Sequence, residues 1–176
     1  WPLVKPLRGN VVSTGDNGTI ALYVDGVLQQ TTNIGGSIFA GYSASYWRIG
    51  GYKNSPGWTN GADGYFTGSL DEVRVYNRSL SADEVSQLYR LSTPTGTDTS
   101  LKGYWPFNGK DVSGTTTYDR SGVGNAGTLT NGPSVTPGKV GQALSLDGVN
   151  DYVSIANSSA LQYSGAVPIT LSLWVN

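Results

Sequence analysis

The chain of 176 residues is long enough to bury one substantial core, and its 25 glycines, 11 tyrosines and 13% of charged residues are typical of a β-rich globular protein. A net charge of −1 without any Lys/Arg cluster argues against nucleic-acid binding, which needs a basic surface. No apolar run approaches the length that spans a bilayer, so we expect no membrane insertion. Cys and His are absent, which excludes a thiol nucleophile and an imidazole base.

The first half of the chain alternates short apolar segments with turn residues. The pairs Asn17-Gly18 and Asp25-Gly26 predict tight hairpin turns, because Asn, Asp and Gly tolerate the positive φ that such turns require. Strands are predicted over residues 11–13, 19–24, 27–32, 37–41 and 46–52. A loop rich in Gly, Asn and Pro follows over residues 53–64.

Residues 65–76 alternate as a long strand. Strict alternation places Leu70 on the face of Tyr76, and Asp71 on the opposite face with Val73 and Val75.

The helix signal lies after this strand. Ser81 and Glu84 form a capping box, in which each side chain bonds the other's backbone N–H. Val85, Leu88 and Tyr89 follow at helical spacing and predict an apolar stripe.

Residues 92–100 predict a linker, since they are polar, contain Pro and Gly, and lack periodicity. Beyond it, strands are predicted over residues 101–107, 127–130, 143–146, 152–156 and 169–175. In the last of these, Ile169, Leu171 and Leu173 share one face. Many short strands with one short helix predict an all-β, antiparallel sandwich or jellyroll.

Two stretches resemble the laminin G-like jellyroll domain of the concanavalin A-like lectin/glucanase superfamily. The first runs through TIALYVDG (19–26), RIGG (48–51) and FTGSLDEVRVYNRSLSADEV (66–85), and is similar to the C-terminal half of such a domain. The second runs through GYWPFN (103–108), DRSGVGNAGTL (119–129), GKVGQALSLDGVNDYV (138–153) and TLSLWV (170–175), and is similar to the N-terminal half.

This order inverts the family's own order. Either the chain is circularly permuted, or it spans the junction of two tandem domains of a longer protein. We assign residues 10–91 to a C-terminal half, 92–100 to the linker and 101–176 to an N-terminal half. We expect the halves to form one composite sandwich, within one chain or by exchange between two copies.

Catalysis is not expected. The glucanases of the resembling superfamily place two Glu on one strand, and glycoside hydrolysis generally needs a carboxyl pair. This chain has two glutamates, of which Glu84 is explained by the helix cap and Glu72 has no Glu partner near it.

A structural calcium ion is one expectation, because Ca²⁺ binds six to eight oxygens of carboxylates, amides and carbonyls. The resemblance implies such an ion near the oxygen-rich positions of this chain. The candidate ligands are Asp147, Asn150, Asp151, Asp71 and Asp119. Asp-Gly and Asn-Asp are also ordinary turn formers, which is the alternative explanation for the same residues.

Carbohydrate binding is predicted from aromatic residues in or beside loops, because sugar rings stack on Trp and Tyr. Trp58 is the first candidate, since its loop has no strand pattern to bury it. The accompanying candidates are Tyr46, Tyr65, Asn60 and Asp63. Trp105 and Trp174, by contrast, lie in strands and are expected in the core.

Two functions are therefore compatible with the sequence. One is a non-catalytic, lectin-like module that binds a polysaccharide or glycan, as part of a protein outside the cell or on its surface. The other is a structural or protein–protein adhesion domain in a bacterial surface repeat protein. Neighbouring domains or a swapped second copy are further possible partners, and fold alone does not choose between these functions.

Overall fold

The computed structural model describes residues 9–16, 18–35, 46–52, 63–90, 98–163 and 167–176. The elements of the first half are β1 (Gly9–Asp16), β2 (Thr19–Val24), β3 (Val27–Asn33), β4 (Tyr46–Ile49), β5 (Gly51–Tyr52), β6 (Gly64–Tyr65), β7 (Thr67–Tyr76) and helix α1 (Ala82–Tyr89). Those of the second half are β8 (Leu101–Trp105), β9 (Val112–Ser113), β10 (Thr116–Thr117), β11 (Gly127–Thr130), β12 (Ser134–Pro137), β13 (Gln142–Asp147), β14 (Tyr152–Ala156) and β15 (Ile169–Val175). The predicted strand at 37–41 and most of the predicted loop at 53–64 lie outside the described residues.

The strands form two main antiparallel sheets and a small ribbon. The larger sheet has eight strands in the order β12-β13-β7-β15-β1-β2-β3, with β8 beside the second part of β7. The smaller sheet has five strands in the order β4-β14-β11-β10-β9, and β5 pairs with β6. The predicted all-β sandwich of jellyroll type with one short helix is confirmed.

The two halves of the chain interleave in both sheets. Strand β15 lies between β7 and β1, so a strand of the second half is hydrogen-bonded on both edges by strands of the first. In the smaller sheet, β14 of the second half pairs with β4 of the first. The structure therefore joins the halves within one chain.

The main core fills the space between the sheets. Trp105 and Phe107 lie at its centre with no exposed surface. The residues predicted to share one face of β15 do so: Ile169 is part of this core, and Leu171 and Leu173 pack against it. A second apolar cluster lies under α1 on the other side of the larger sheet, and its members are Val12, Tyr23, Tyr76, Leu80, Val85 and Leu88.

The predicted alternation of β7 is wrong at one point. Leu70 lies in the main core with Val73 and Val75, although strict alternation would place it on the opposite face. The cause is a β-bulge, in which Glu72 has a φ of 55° and the pairing register with β15 shifts. A bulge inserts one extra residue, so the sides exchange beyond it.

Local signals are confirmed at the helix and at the turn between β2 and β3. The Ser81 hydroxyl accepts a hydrogen bond from the Glu84 N–H, and the Glu84 carboxylate accepts one from the Ser81 N–H. Asp25 and Gly26 both have positive φ between β2 and β3, as the hairpin required. Within the described ranges, no helix has the length and apolar character of a membrane span.

Candidate functional site

An aromatic surface lies on the outward face of the five-stranded sheet. Val153 and Ile155 of β14 are buried in the core, so Tyr152, which alternates with them, points outward. Arg48 of β4 pairs with Ser154, which lies two residues from Tyr152 along β14 and therefore on the same face. Its guanidinium carbon stands 4.2 Å from the centre of the Tyr152 ring, a distance typical of cation–π contacts.

The β5–β6 ribbon brings a second ring to this surface. A Cβ on Gly51 would stand 3.2 Å from the Tyr65 ring and 3.2 Å from the Cβ of Tyr152, so glycine here lets the two tyrosines approach. The ring centres of Tyr65 and Tyr152 are 6.4 Å apart and their planes are inclined by 34°. Tyr52 lies on the other face of the ribbon and is 53% exposed.

We call Arg48, Tyr65 and Tyr152 the tyrosine surface. Of the predicted sugar-binding residues, Tyr65 is part of it, and Asp63 lies at its rim, where its Oδ2 accepts a 3.4 Å hydrogen bond from the Tyr65 hydroxyl. Tyr46 begins β4, but its side chain lies outside the described residues, as do Trp58 and Asn60.

Tyr152 and Arg48 were not predicted. The alternation of Tyr152 with Val153 and Ile155 could have indicated an outward ring. The proximity of Tyr152 to Arg48 could not be predicted, because this proximity depends on the pairing of β14 with β4, which belong to different halves of the chain.

Asp119 organises the loop between β10 and β11. Its Oδ1 accepts hydrogen bonds from the N–H groups of Tyr104 and Ser121, at 2.9 and 2.8 Å. Its Oδ2 accepts from the Ser121 hydroxyl and from the N–H groups of Gly124 and Asn125. Both carboxylate oxygens of Asp119 thus accept hydrogen bonds from the protein. In this arrangement they do not suit the coordination of calcium that was predicted for Asp119.

Asp147 and Asp151 meet in the turn between β13 and β14. The Oδ1 of Asp147 accepts from the N–H groups of Val149, Asn150 and Asp151. These bonds, led by that of Val149, hold the pKa of Asp147 below its usual value. The Oδ2 of Asp151 accepts from the Asp147 N–H, whereas its buried Oδ1 has no hydrogen-bond partner.

The turn therefore keeps the Oδ1 of Asp151 and the Oδ2 of Asp147 available to a cation. Two side-chain oxygens fit part of a calcium site, and carbonyls or water would have to complete it. Among the residues that the structure describes, no three acidic groups cluster in a way that could hold a metal ion.

Asp71 lies on β7 beneath the β12–β13 hairpin and is 3% exposed. Its Oδ2 accepts a 2.9 Å hydrogen bond from the Val140 N–H, and its Oδ1 has no partner. Burial raises the pKa of Asp71 to about 6, against the opposing effect of the Val140 hydrogen bond. Desolvation of a carboxylate favours its protonated form.

We expect this raised pKa to make stability depend on pH. The folded state holds the Asp71 proton more tightly than the unfolded state, so the free energy of unfolding falls as the pH rises from about 4 to about 6. At about 1.4 kcal/mol per pKa unit, the contribution is about 3 kcal/mol. Chemical denaturation across this pH range measures the effect in the parent chain and in Asp71→Asn. An unchanged pH slope in the variant would contradict the assignment to Asp71.

Both glutamates are engaged in structural contacts. Glu84 caps α1 and forms an ion pair with Arg78 at 2.7 Å, which lowers its pKa to about 2. Glu72 forms an ion pair with Arg74 and accepts hydrogen bonds from the Tyr104 hydroxyl, at 3.0 and 2.8 Å. These ion pairs and hydrogen bonds are structural contacts for both glutamates.

Residues 9–86 match the laminin G model of the concanavalin A-like lectin/glucanases superfamily. The matched segment begins at β1 and ends inside α1, and it carries Arg48 and Tyr65, whereas Tyr152 comes from the second half of the chain. No curated protein and no solved structure gives a significant match.

The match to the concanavalin A-like lectin/glucanases superfamily agrees with the resemblance found in the sequence. Domains of this superfamily are often carbohydrate-binding or adhesion-related, and laminin G-like domains are typically non-catalytic. The tyrosine surface is therefore the described site with the chemistry most suited to such a role.

Proposed function

We propose that the chain is a non-catalytic carbohydrate-binding module of an extracellular protein, with the tyrosine surface as its ligand site. The observation that carries the proposal is the pair of inclined rings of Tyr65 and Tyr152 beside the Arg48 guanidinium. Tyrosine rings offer an apolar face to the C–H groups of a sugar and a hydroxyl to its oxygens.

The polar groups around the rings support the same ligand. A tyrosine hydroxyl can both donate and accept, and the Asp63 carboxylate at the rim is an acceptor. A neutral sugar uses both kinds of group, and few charges are needed to orient it. The proposal thus names a neutral polysaccharide or glycan as the ligand class.

We expect Tyr152→Ala to weaken glycan affinity at least tenfold, because it removes one stacking ring and the contact of Arg48. Affinity gel electrophoresis or calorimetry with soluble polysaccharides measures this change. Tyr118→Ala is the matched control, since Tyr118 is 42% exposed and its ring contacts Arg120 elsewhere in the fold. Equal affinity of Tyr152→Ala and the parent chain would remove the tyrosine surface as the site.

A structural or protein–protein adhesion domain in a bacterial surface repeat protein is the second candidate function. Strand β3 is an edge of the larger sheet, all its residues are exposed, and Val27 and Leu28 are 62% and 50% exposed. Exposed edge strands offer backbone groups to another chain. A folded sample that binds no glycan but associates through β3 would favour this function.

We also propose that the motifs of the family's C-terminal half precede those of its N-terminal half along this chain. Circular permutation and the junction of two tandem domains both place family motifs in the observed order. The pairing of β15 with β1 and β7 is compatible with either origin.

We propose that calcium binds at the turn that contains Asp147, Asn150 and Asp151. The support is the unpaired, buried Oδ1 of Asp151. Millimolar calcium should raise the melting temperature relative to EDTA, because a ligand that binds the folded state stabilises it. The increase should disappear in Asp151→Asn. Identical melting of the parent chain in calcium and in EDTA would reject the ion.

A further inference from the structure

The connection between β11 and β12 contains an Asn-Gly pair, Asn131-Gly132. The sequence has four such pairs, and the structure describes both residues of two of them, Asn108-Gly109 and Asn131-Gly132. In an Asn-Gly pair, the glycine amide nitrogen can attack the side-chain carbonyl carbon of the asparagine, because glycine has no side chain that hinders the approach. The fold decides which of the two pairs is free to react in this way.

The fold restrains the pair at Asn108. The Gly109 N–H donates a 2.6 Å hydrogen bond to the side-chain Oε1 of Gln142. The Asn108 Oδ1 accepts a 2.9 Å hydrogen bond from the Gln142 N–H. A single residue therefore holds both reacting groups of this pair, the amide nitrogen and the side-chain carbonyl.

The pair at Asn131 lacks this restraint. Both of its residues are exposed, and φ is 68° at Asn131 and 117° at Gly132. Among the described residues, none accepts a hydrogen bond from the Gly132 N–H, and none donates one to the Asn131 Oδ1. The Asn131 Nδ2 alone is engaged, since it donates a 2.9 Å hydrogen bond to the Asn150 carbonyl. Solvent thus reaches a glycine amide that no hydrogen bond protects.

We propose that Asn131 is a site of spontaneous deamidation. The Gly132 nitrogen bonds to the Asn131 Cγ, and the Cγ–Nδ2 bond breaks. The Nδ2 leaves as ammonia with the proton that the Gly132 nitrogen gave up, and a five-membered succinimide remains. Water then opens this ring at either carbonyl and leaves aspartate or isoaspartate at position 131. This modification does not depend on the proposed carbohydrate function.

Deamidation alters the contact between two turns. The product carries a carboxylate in place of the amide, so it cannot donate to the Asn150 carbonyl. A Cβ on Gly132 would stand 4.0 Å from the Oδ1 of Asp151, which places the new negative charge near the turn that holds Asp147 and Asp151. The lost hydrogen bond and the repulsion between like charges both weaken this contact.

The test is peptide mapping by mass spectrometry after incubation of the folded chain in a mildly alkaline buffer with EDTA. Trypsin, used at mildly acidic pH, cleaves after Lys and Arg, so peptides 103–110 and 121–139 separate the two pairs. We expect deamidation at Asn131 to be at least tenfold faster than at Asn108. In guanidinium chloride the two rates should become similar, because the Gln142 contacts are lost. Asn131→Gln should remove the signal from the second peptide, since its side chain would have to form a six-membered ring.

Equal rates at Asn131 and Asn108 in the folded chain would overturn the proposal. It is also overturned if Asn131 stays intact in the folded chain while the denatured chain reacts.

Asn131→Asp tests the effect on the turn without waiting for the reaction. In EDTA, this variant should melt at a lower temperature than the parent chain. Asn157→Asp is the matched control, because Asn157 is exposed and the same charge is added away from this contact. Equal melting temperatures of the two variants would contradict the effect of deamidation on the contact with Asn150.

Discussion

Trp105→Ala should lower the free energy of unfolding by about 4 kcal/mol, the range found when a large aromatic core residue is truncated. Trp105 lies in β8 with no exposed surface, and its indole N–H donates a 2.9 Å hydrogen bond to the Asn125 carbonyl. Its ring also covers Gly103, where an added Cβ would stand 2.3 Å from the ring. The variant therefore loses core volume and leaves a buried carbonyl unpaired.

Urea denaturation of Trp105→Ala and Trp105→Phe, followed by circular dichroism, measures the effect. The Phe variant keeps most of the apolar volume, so it should cost clearly less than the Ala variant. Loss of less than about 1 kcal/mol in Trp105→Ala would contradict a tightly packed core around β8.

Asp119→Ala should lower the free energy of unfolding by about 3 kcal/mol, because hydrogen bonds to a charged group each contribute about 1.5–3 kcal/mol and their losses are not additive. The carboxylate accepts five hydrogen bonds and connects the start of the β10–β11 loop to β8. Its loss leaves several N–H donors of the loop without a partner.

The matched control is Asp83→Ala, which removes an exposed carboxylate in the first turn of α1 and should cost less than about 1 kcal/mol. The same denaturation experiment compares both variants. A similarly small decrease in the free energy of unfolding for both variants would contradict this prediction. It would show that water can replace the Asp119 carboxylate as the hydrogen-bond acceptor.

Much of the fold could be predicted because its signals are local. The capping box of Ser81 and Glu84 and the turn at Asp25-Gly26 depend on neighbouring residues, and the structure contains both. The bulge at Glu72 could not be predicted, since nothing in the sequence alternation marks the extra residue. Its consequence is large, because it moves Leu70 into the core and leaves Asp71 opposite Trp174.

The candidate site was predictable only in part. Tyr65 and Asp63 were identified as polar and aromatic residues beside a loop, which is a property of the local sequence. The tyrosine surface also needs Tyr152, which reaches Arg48 and Tyr65 through strand pairing between distant segments. The hydrogen bonds of Asp119 could not be predicted for the same reason, because they include the Tyr104 N–H, 15 residues away.

The most direct test of the account is an NMR titration of the isotope-labelled chain with the soluble polysaccharide that binds best in a screen. We predict saturable shifts at Arg48, Tyr65 and Tyr152, with little change at Trp174 on the opposite face. Shifts confined to another surface, or no binding to any polysaccharide by a folded sample, would contradict the claim that the tyrosine surface binds carbohydrate.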